Sequence, residues 1–500
     1  MDYPATPPWL ENAPAKFIMC SDMTGCLENG AGTFNFELIN PYTDAKIVMF
    51  TNGTTSPVTL ASTPPIAFSD SNVPLRGKIT RMADPTLMRV VWNSPHNDDN
   101  PTVRWGYSSG VYTNEAYAES YTYTREDLCG DPATSIGYFS PFYWNYAIIA
   151  NLTPGSPDIV YYIYGSEANG WSAEGSFRAP PAPGPNTEPI HIIGLADMGM
   201  TELDNTTDHW AEPSAYLTTK HMHDWVYSGS GYDYSLVLHV GDVSYATGLL
   251  LKWALFDSRI VDVASRAPYL VVQGNHERDY PNTGSIDSYD SGGECGIATQ
   301  TRFPSPTSTS HYQDEGWYSL VHGSATIIMI NTEFEVGPGS TQYNFLNATL
   351  KAVDRTVTPW VIVNMHRPMY MVDDSEAGGS IDPQFQVFES LLYDYKVDLV
   401  LCGHVHNAYA SRKVYQGKPV SAPYGEYAAP VHISIGNAGQ GLTPINTKTY
   451  PEWVVYQASE WGYSTIHIYN STDMSVELYG DSDNGLRYTV DFHLNFPRNY

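Results

Sequence analysis

The chain has 500 residues, a length that predicts two or three domains rather than one core. Only 16% of its residues are charged and the formal net charge is −29, which argues against nucleic acid and anionic membrane surfaces as partners, since both are met through basic patches. A small anionic substrate stays open, because bound cations reverse a local potential. No apolar run approaches the roughly 18 residues of a transmembrane span. The opening MDYPATPPWL lacks the basic and apolar regions of a signal peptide and reads as a mature or recombinant start.

Residues 1–75 carry short alternating runs, TFNFELI (33–39) and KIVMFTN (46–52), and read as a small N-terminal β-region. Strand-like segments then recur between turn residues: LMRVVWNS, TVRWGYS, NYAIIANL and IVYYIYG. Their spacing predicts a fibronectin-III-like β-sandwich over 76–180. The Pro-rich stretch APPAPGPNTEP (179–189) reads as a semi-rigid connector. From 186 to 490 the pattern is α/β. The apolar runs HIIGLA, SLVLHV, APYLVVQ, TPWVIV and VDLVL alternate with helical patterns at 213–227, 249–265, 342–354 and 382–396. The end returns to strands in VHISIG, YSTIHIYN and SVELYG. Two sheets with helices outside are expected.

Each of the five apolar runs is followed by a polar segment: GLADMG (194–199), GDVSY (241–245), GNHE (274–277), NMHRP (364–368) and GHVH (403–406). Ligands of open α/β sheets bind at strand carboxyl ends. The segments place Asp197, Asp242, Tyr245, Asn275, His366, His404 and His406 there. Seven hard or borderline donors are too many for one four-coordinate zinc and suit two ions with one bridging carboxylate. His404 and His406, at i and i+2, lie on one face of an extended chain. Gly241, Gly274 and Gly403 precede donors and suit tight turns or close backbone approach. Arg278 and Arg367 flank the motifs; they suit either a fork onto phosphate oxygens or pairs with Glu277, Asp279 or the acidic run 373–376. His209, His221 and His223 read as surface or core residues, and His432 as an outer support of the site. The loop GNAGQG (436–441) lacks the lysine of a phosphate-cradling loop.

This order of segments resembles the metallophosphoesterase superfamily, and within it the purple acid phosphatases. The first segment, Asp197-Met198-Gly199, lacks the usual His, and the second supplies Tyr245. GNHERDYP (274–281) and DSGGECG (290–296) look like the high-molecular-weight plant type. The resemblance implies Fe(III) on Asp197, Tyr245 and His406. It implies a divalent ion (Zn, Mn or Fe) on Asn275, His366 and His404, bridged by Asp242. It gives His276 a hydrogen bond to a phosphoryl oxygen in the transition state, the alternative being a ring that packs against a metal-ligand His and orients it. The implied activity is acid phosphatase, with in-line attack of a metal-bound hydroxide on small phosphate monoesters. Phosphodiester, nucleotide pyrophosphate or phytate hydrolysis on the same core is the nearest rival, and a glycosylated binding protein with a dead site the next. The stretch MYMVDDSEAGG (369–379) lacks the consecutive His pair of many plant members, leaving Asp373, Asp374, Glu376 or solvent as the leaving-group acid.

Cys20, Cys26, Cys129 and Cys295 are enough for two disulfides in an oxidising compartment, while Cys402 reads as a buried thiol. Five N-x-S/T sequons, at Asn52, Asn151, Asn205, Asn347 and Asn470, fit a glycoprotein that is secreted or vacuolar. Monomer and homodimer both remain open.

Overall fold

The computed structural model describes residues 14–53, 57–97, 100–201, 204, 206, 212–227, 233–307 and 316–495. The opening segment, Asn205 and His209 lie outside them.

The central strands are apolar on both faces, and both faces are covered, as parallel strands require. In β1 (Ile190–Leu195), Ile192 joins one core and Ile193 the opposite one. In β2 (Tyr234–Val240), Leu236 and Val237 divide the same way. Strand β3 (Tyr269–Val272) completes a parallel trio, β3-β2-β1. The second sheet begins with β4 (Tyr318–His322) and β5 (Ala325–Ile330), an antiparallel pair. It continues with β6 (Trp360–Met365), β7 (Leu399–Cys402), β8 (Ala408–Ser411), β9 (Val431–Ile435) and β10 (Val454–Ala458), in the order β4-β5-β6-β7-β9-β8-β10. Three closing strands, β11 (Gly462–Ile468), β12 (Asp473–Gly480) and β13 (Gly485–His493), return to the first sheet. They extend it antiparallel from β1.

The two sheets pack face to face. Ile192, Leu238 and Val272 of one meet Ile327, Ile362, Leu401 and Ile433 of the other in a single buried cluster. Each fully buried aliphatic side chain contributes about 1.5–3 kcal/mol. Helices cover the outer faces. In α1 (Ala215–Tyr227) and α2 (Leu251–Ala264), Met222, Trp253, Phe256, Ile260 and Val263 pack on the first sheet. The spacing of 253, 256, 260 and 263 is one helical face. Helix α3 (Thr341–Ala352) is capped by Ser340, whose side chain accepts from Tyr343 N, and lays Leu346 and Leu350 on the second sheet. The pattern expected at 382–396 is shorter: a 3₁₀ turn, Phe385–Phe388, followed by one α-helical stretch, Glu389–Asp394.

Ahead of this unit lies an antiparallel β-sandwich. Strands Leu75–Arg81, Met88–Ser94, Tyr143–Ile149 and Glu119–Tyr121 form one sheet; Ile159–Ser166, Thr102–Gly106 and Asn114–Tyr117 lie in the other. Ile79, Val90, Trp92, Val103 and Tyr162 fill its interior. In the N-terminal region the run 46–52 yields the hairpin strand Val48–Thr51, paired with Val58–Ser62. The run 33–39 forms no strand: its apolar residues find no sheet partner, Phe34 and Leu38 stay exposed, and Phe34 packs edge-on against Phe36.

Sandwich and α/β unit are joined by a buried ion network. Lys78 Nζ lies 2.6 Å from Asp257 Oδ1, and Arg302 Nε lies 3.0 Å from Asp257 Oδ2. The Lys78 ammonium also sits over the rings of Trp144 and Phe303. Disulfides join Cys20 to Cys26 and Cys129 to Cys295, and Cys402 is free and buried.

Candidate metal centre

In all five polar segments the first donor follows the strand end by one to three residues, with Tyr245 and His406 a little further on. The turns are knitted together by their backbones. Asp197 N donates to Gly241 O at 3.1 Å, Met198 N to Asp242 O at 3.2 Å and Gly403 N to His366 O at 2.9 Å. Asp197, Asp242, Tyr245 and His404 all have left-handed φ, between 48° and 67°. Such backbone costs a non-glycine residue about 1–3 kcal/mol and persists where surroundings over-determine it. The flanking glycines make room. A Cβ on Gly241 would run into the His366 ring, one on Gly274 into Asp242 Oδ1, and one on Gly403 into Asp197 Oδ2.

The seven donors fall into two groups that share Asp242. Tyr245 Oη lies 3.3 Å from Asp197 Oδ1, 3.2 Å from Asp242 Oδ2 and 3.0 Å from His406 Nε2. On the other side, His366 Nε2 lies 3.3 Å from Asp242 Oδ1 and 3.1 Å from Asn275 Oδ1. His404 Nδ1 lies 3.0 Å from the same Asn275 oxygen. Asp242, His366 and His404 offer ligand atoms mutually within 4.8 Å, and so do Asp197, Asp242 and His406. One phenol proton cannot satisfy both Asp197 and Asp242, so acceptors outnumber donors around Tyr245. A cation among these atoms would resolve that excess. The residues present therefore fit a pair of ions.

By themselves, the ionisable groups of the cluster shift one another strongly. Burial pushes the Asp197 carboxyl up despite its His406 partner. Burial would also raise Asp242, but the neighbouring charges of His366 and His276 outweigh it and hold Asp242 well below the usual carboxylate range. His366 answers in kind: burial opposes its charge, yet Asp242 lifts it to about 10. Burial together with the charges of Asp242 and Asp197 drives the Tyr245 phenol far above its ordinary value. A phenolate there needs a strong cation beside it.

Around these donors are residues that hold the turns together, among them Glu277, which the sequence offers as an arginine partner but which instead accepts from backbone N–H groups. Glu277 is fully buried and accepts from Val243 N at 2.8 Å and Gly274 N at 3.0 Å, tying the Asp242 turn to the Asn275 turn. Asp290 Oδ2 accepts from Asn275 Nδ2 at 3.0 Å. His406 Nδ1 lies 2.7 Å from Gly441 O, which places the GNAGQG loop behind that ring. Pairings across tens of residues leave no local pattern in a sequence. The stretch DSGGECG stood out there only through the family resemblance.

His276 stands beside the centre. Its ring centroid is 4.6 Å from that of Tyr245, its Nε2 is 3.9 Å from Asp242 Oδ2, and its side chain keeps 14% exposure. The two arginines have protein partners. Arg367 bonds Glu333 at 2.8 Å and Asp279 at 3.0 Å, with Nη1 3.1 Å from His404 Nε2. Arg278 bonds Thr283 through two nitrogens and stacks on Phe334. The geometry therefore favours the pairing alternative for Arg367 and a packed role for Arg278 over a phosphate fork. Asp373 caps its own turn by accepting from Ser375 N, while Asp374 and Glu376 are exposed. His432 packs edge-on against Tyr370 rather than against one of the seven donors. His221 bonds the Asp481 carbonyl in the core and His223 stacks on Tyr227 at the surface, matching the core or surface role expected of them.

Comparison with known proteins gives the class first. Residues 190–408 match the model of the calcineurin-like phosphoesterases. Residues 74–179 match that of the purple acid phosphatase N-terminal domain, and 429–487 that of the iron/zinc purple acid phosphatase-like protein C. A protein of Arabidopsis thaliana named "Probable inactive purple acid phosphatase 1" is 31% identical over 95% of this chain and 78% of its own length. A nucleotide pyrophosphatase/phosphodiesterase of Hordeum vulgare is 30% identical over 65% of this chain and 89% of its own. The solved structure of a purple acid phosphatase from yellow lupin (Lupinus luteus) seeds superposes with a TM-score of 0.91. It is 28% identical and covers 99% of this chain and 88% of that one. The chain belongs to the purple acid phosphatase family.

Proposed function

We propose that this protein is a metal-dependent acid phosphatase that hydrolyses small phosphate monoesters. The observation that supports it most directly is the division of the donors around Asp242, each of whose oxygens faces a separate group. In this reading Asp197, Tyr245 and His406 hold Fe(III), and Asn275, His366 and His404 hold a divalent ion. Asp242, whose two oxygens face the two groups, would be shared between the ions. Phenolate is a hard anionic donor, which suits the trivalent ion to the Tyr245 side. Bound there, the pair supplies Lewis acidity to phosphoryl oxygens and lowers the pKa of water for in-line attack.

The chain's own residues do the rest. His276, with Nδ1 toward the Asp290 carbonyl, turns its Nε2 edge to the centre, where it is placed to meet a phosphoryl oxygen. Glu277 keeps the two turns in register. Arg367 braces His404 and the Asp279–Glu333 pair. The leaving-group proton comes from Asp373, Asp374, Glu376 or solvent. The domains of this reading are 1–75, 76–180 and 186–490. Two disulfides support a secreted or vacuolar location, with sugars on the sequons.

Similarity to the Hordeum vulgare nucleotide pyrophosphatase/phosphodiesterase favours one second reading, diester or pyrophosphate cleavage on the same core. A panel of p-nitrophenyl phosphate, bis-p-nitrophenyl phosphate and a nucleoside diphosphate at acid pH tests the choice. The proposal expects the monoester to be turned over fastest and chelation to abolish the activity. Preference for the diester or diphosphate establishes the second reading. No turnover of any of the three by protein holding two ions contradicts both.

A further inference from the structure

Asp290 holds two residues of the centre with two different atoms. Its Oδ2 accepts from Asn275 Nδ2 at 3.0 Å, and its carbonyl oxygen lies 3.2 Å from His276 Nδ1. A carboxylate oxygen accepts and cannot donate. The NH₂ edge of Asn275 must therefore face Asp290, which leaves Asn275 Oδ1 turned inward. There it meets His366 Nε2 at 3.1 Å and His404 Nδ1 at 3.0 Å. Rotating the amide by half a turn would set oxygen against oxygen at Asp290. The carbonyl fixes His276 in the same way: it can only accept, so Nδ1 carries a proton and Nε2 is the edge left for the centre.

Asp290 is itself held in place. Ser291 N donates to Asp279 O at 3.1 Å. Cys129 N and Ala133 N, from the sandwich, donate to Gly293 O and Gly292 O at 2.8 and 3.0 Å. The Cys129–Cys295 disulfide closes the same loop onto the sandwich. Added Cβ atoms on Gly292 and Gly293 would strike the Thr247 and Gly130 carbonyls, so the strands of chain here are in direct backbone contact.

We propose that Asp290 is a positioning residue for this centre, selecting the amide face of Asn275 and the imidazole edge of His276 that turn inward. The inference rests on the metal reading given above. It separates the two ions, because Asn275 belongs to one donor group only.

The test uses the holoenzyme and its Asp290→Ala and Asp290→Asn variants, challenged with graded EDTA and followed by elemental analysis and by thermal melting. In Asp290→Ala one ion per chain is expected to leave at about 10–100-fold lower chelator concentration, the usual effect of losing a hydrogen-bond partner behind a ligand. The second ion stays as in the wild type. Asp290→Asn keeps an oxygen for Asn275 Nδ2 and is expected to recover most of the loss. Melting temperatures of the three proteins at saturating metal should agree. Equal retention of both ions in Asp290→Ala overturns the inference and leaves the metal reading standing. Parallel loss of both ions also overturns it, since that marks general loosening. A wild-type chain that holds no ions overturns the reading and the inference together.

Discussion

Tyr245 is the most chemically specific residue of the centre. It is fully buried between two carboxylates and an imidazole, in surroundings that hold a neutral phenol unless a cation is present. Phenolate on Fe(III) should give a visible charge-transfer band. Tyr245→Phe should remove that band, read by absorption, while the melting temperature stays close to wild type. A colourless wild-type protein loaded only with zinc would contradict the ferric assignment. Asp242 faces both donor groups, so Asp242→Ala should lose both ions and reduce kcat/KM at least about 1,000-fold, whereas Asn275→Ala should lose one. Two retained ions in Asp242→Ala would contradict the bridge. Most of these donors were legible in the sequence because they follow an apolar strand run closely, and a strand end is a position that sequence marks; Tyr245, five residues past its strand, was singled out with the help of the family resemblance. Glu277 and Asp290 were not, because their partners Val243 and Asn275 are 34 and 15 residues away. For Arg367 the sequence could not choose between a phosphate and a carboxylate. Glu333, which takes half of its guanidinium, lies outside every motif.

At the scale of elements, the site is a bundle of turns that touch through their backbones. Gly274 shows how little space remains: a Cβ there would meet Asp242 Oδ1 and stand 2.7 Å from His366 Nε2. Gly274→Ala should weaken metal retention and activity about 10–100-fold. Gly441→Ala, where nothing lies within 4 Å, should leave both near wild type. Equal behaviour of the two variants in a chelator titration would show that the turns are less tightly fitted than described. Periodicity marked helices α1, α2 and α3 within a few residues, since each buries one face on a sheet. It failed at 33–39, where alternation was present but no neighbouring strand takes up the backbone. Sheet order was also out of reach: β11 pairs with β1 across more than 250 residues, a contact set by the closing of the layers rather than by local pattern.

At the scale of the whole molecule, two buried acids favour folding in acid. Burial pushes Asp481 up to about 6 against the hydroxyls of Ser214 and Thr218. Burial likewise lifts Glu294 to about 7 against Gly248 N and the Trp253 indole. Both bind a proton more tightly folded than unfolded. Their contribution is full below the unfolded values near 4 and is lost as pH rises through about 6 and 7. The stability difference between wild type and Asp481→Asn should therefore shift by on the order of 2 kcal/mol between pH 4 and 7, with wild type relatively better at pH 4. A pH-independent difference in melting would refute this. The sandwich is tied to the α/β unit through Lys78–Asp257–Arg302 and, at the loop that carries Asp290, through the Cys129–Cys295 disulfide. All of this architecture converges on two groups of donors around Asp242. The most direct test is elemental analysis of the purified wild-type chain. Two metal ions per chain, one of them iron, are predicted; fewer than one ion per chain, after supply of iron and zinc, would contradict the account.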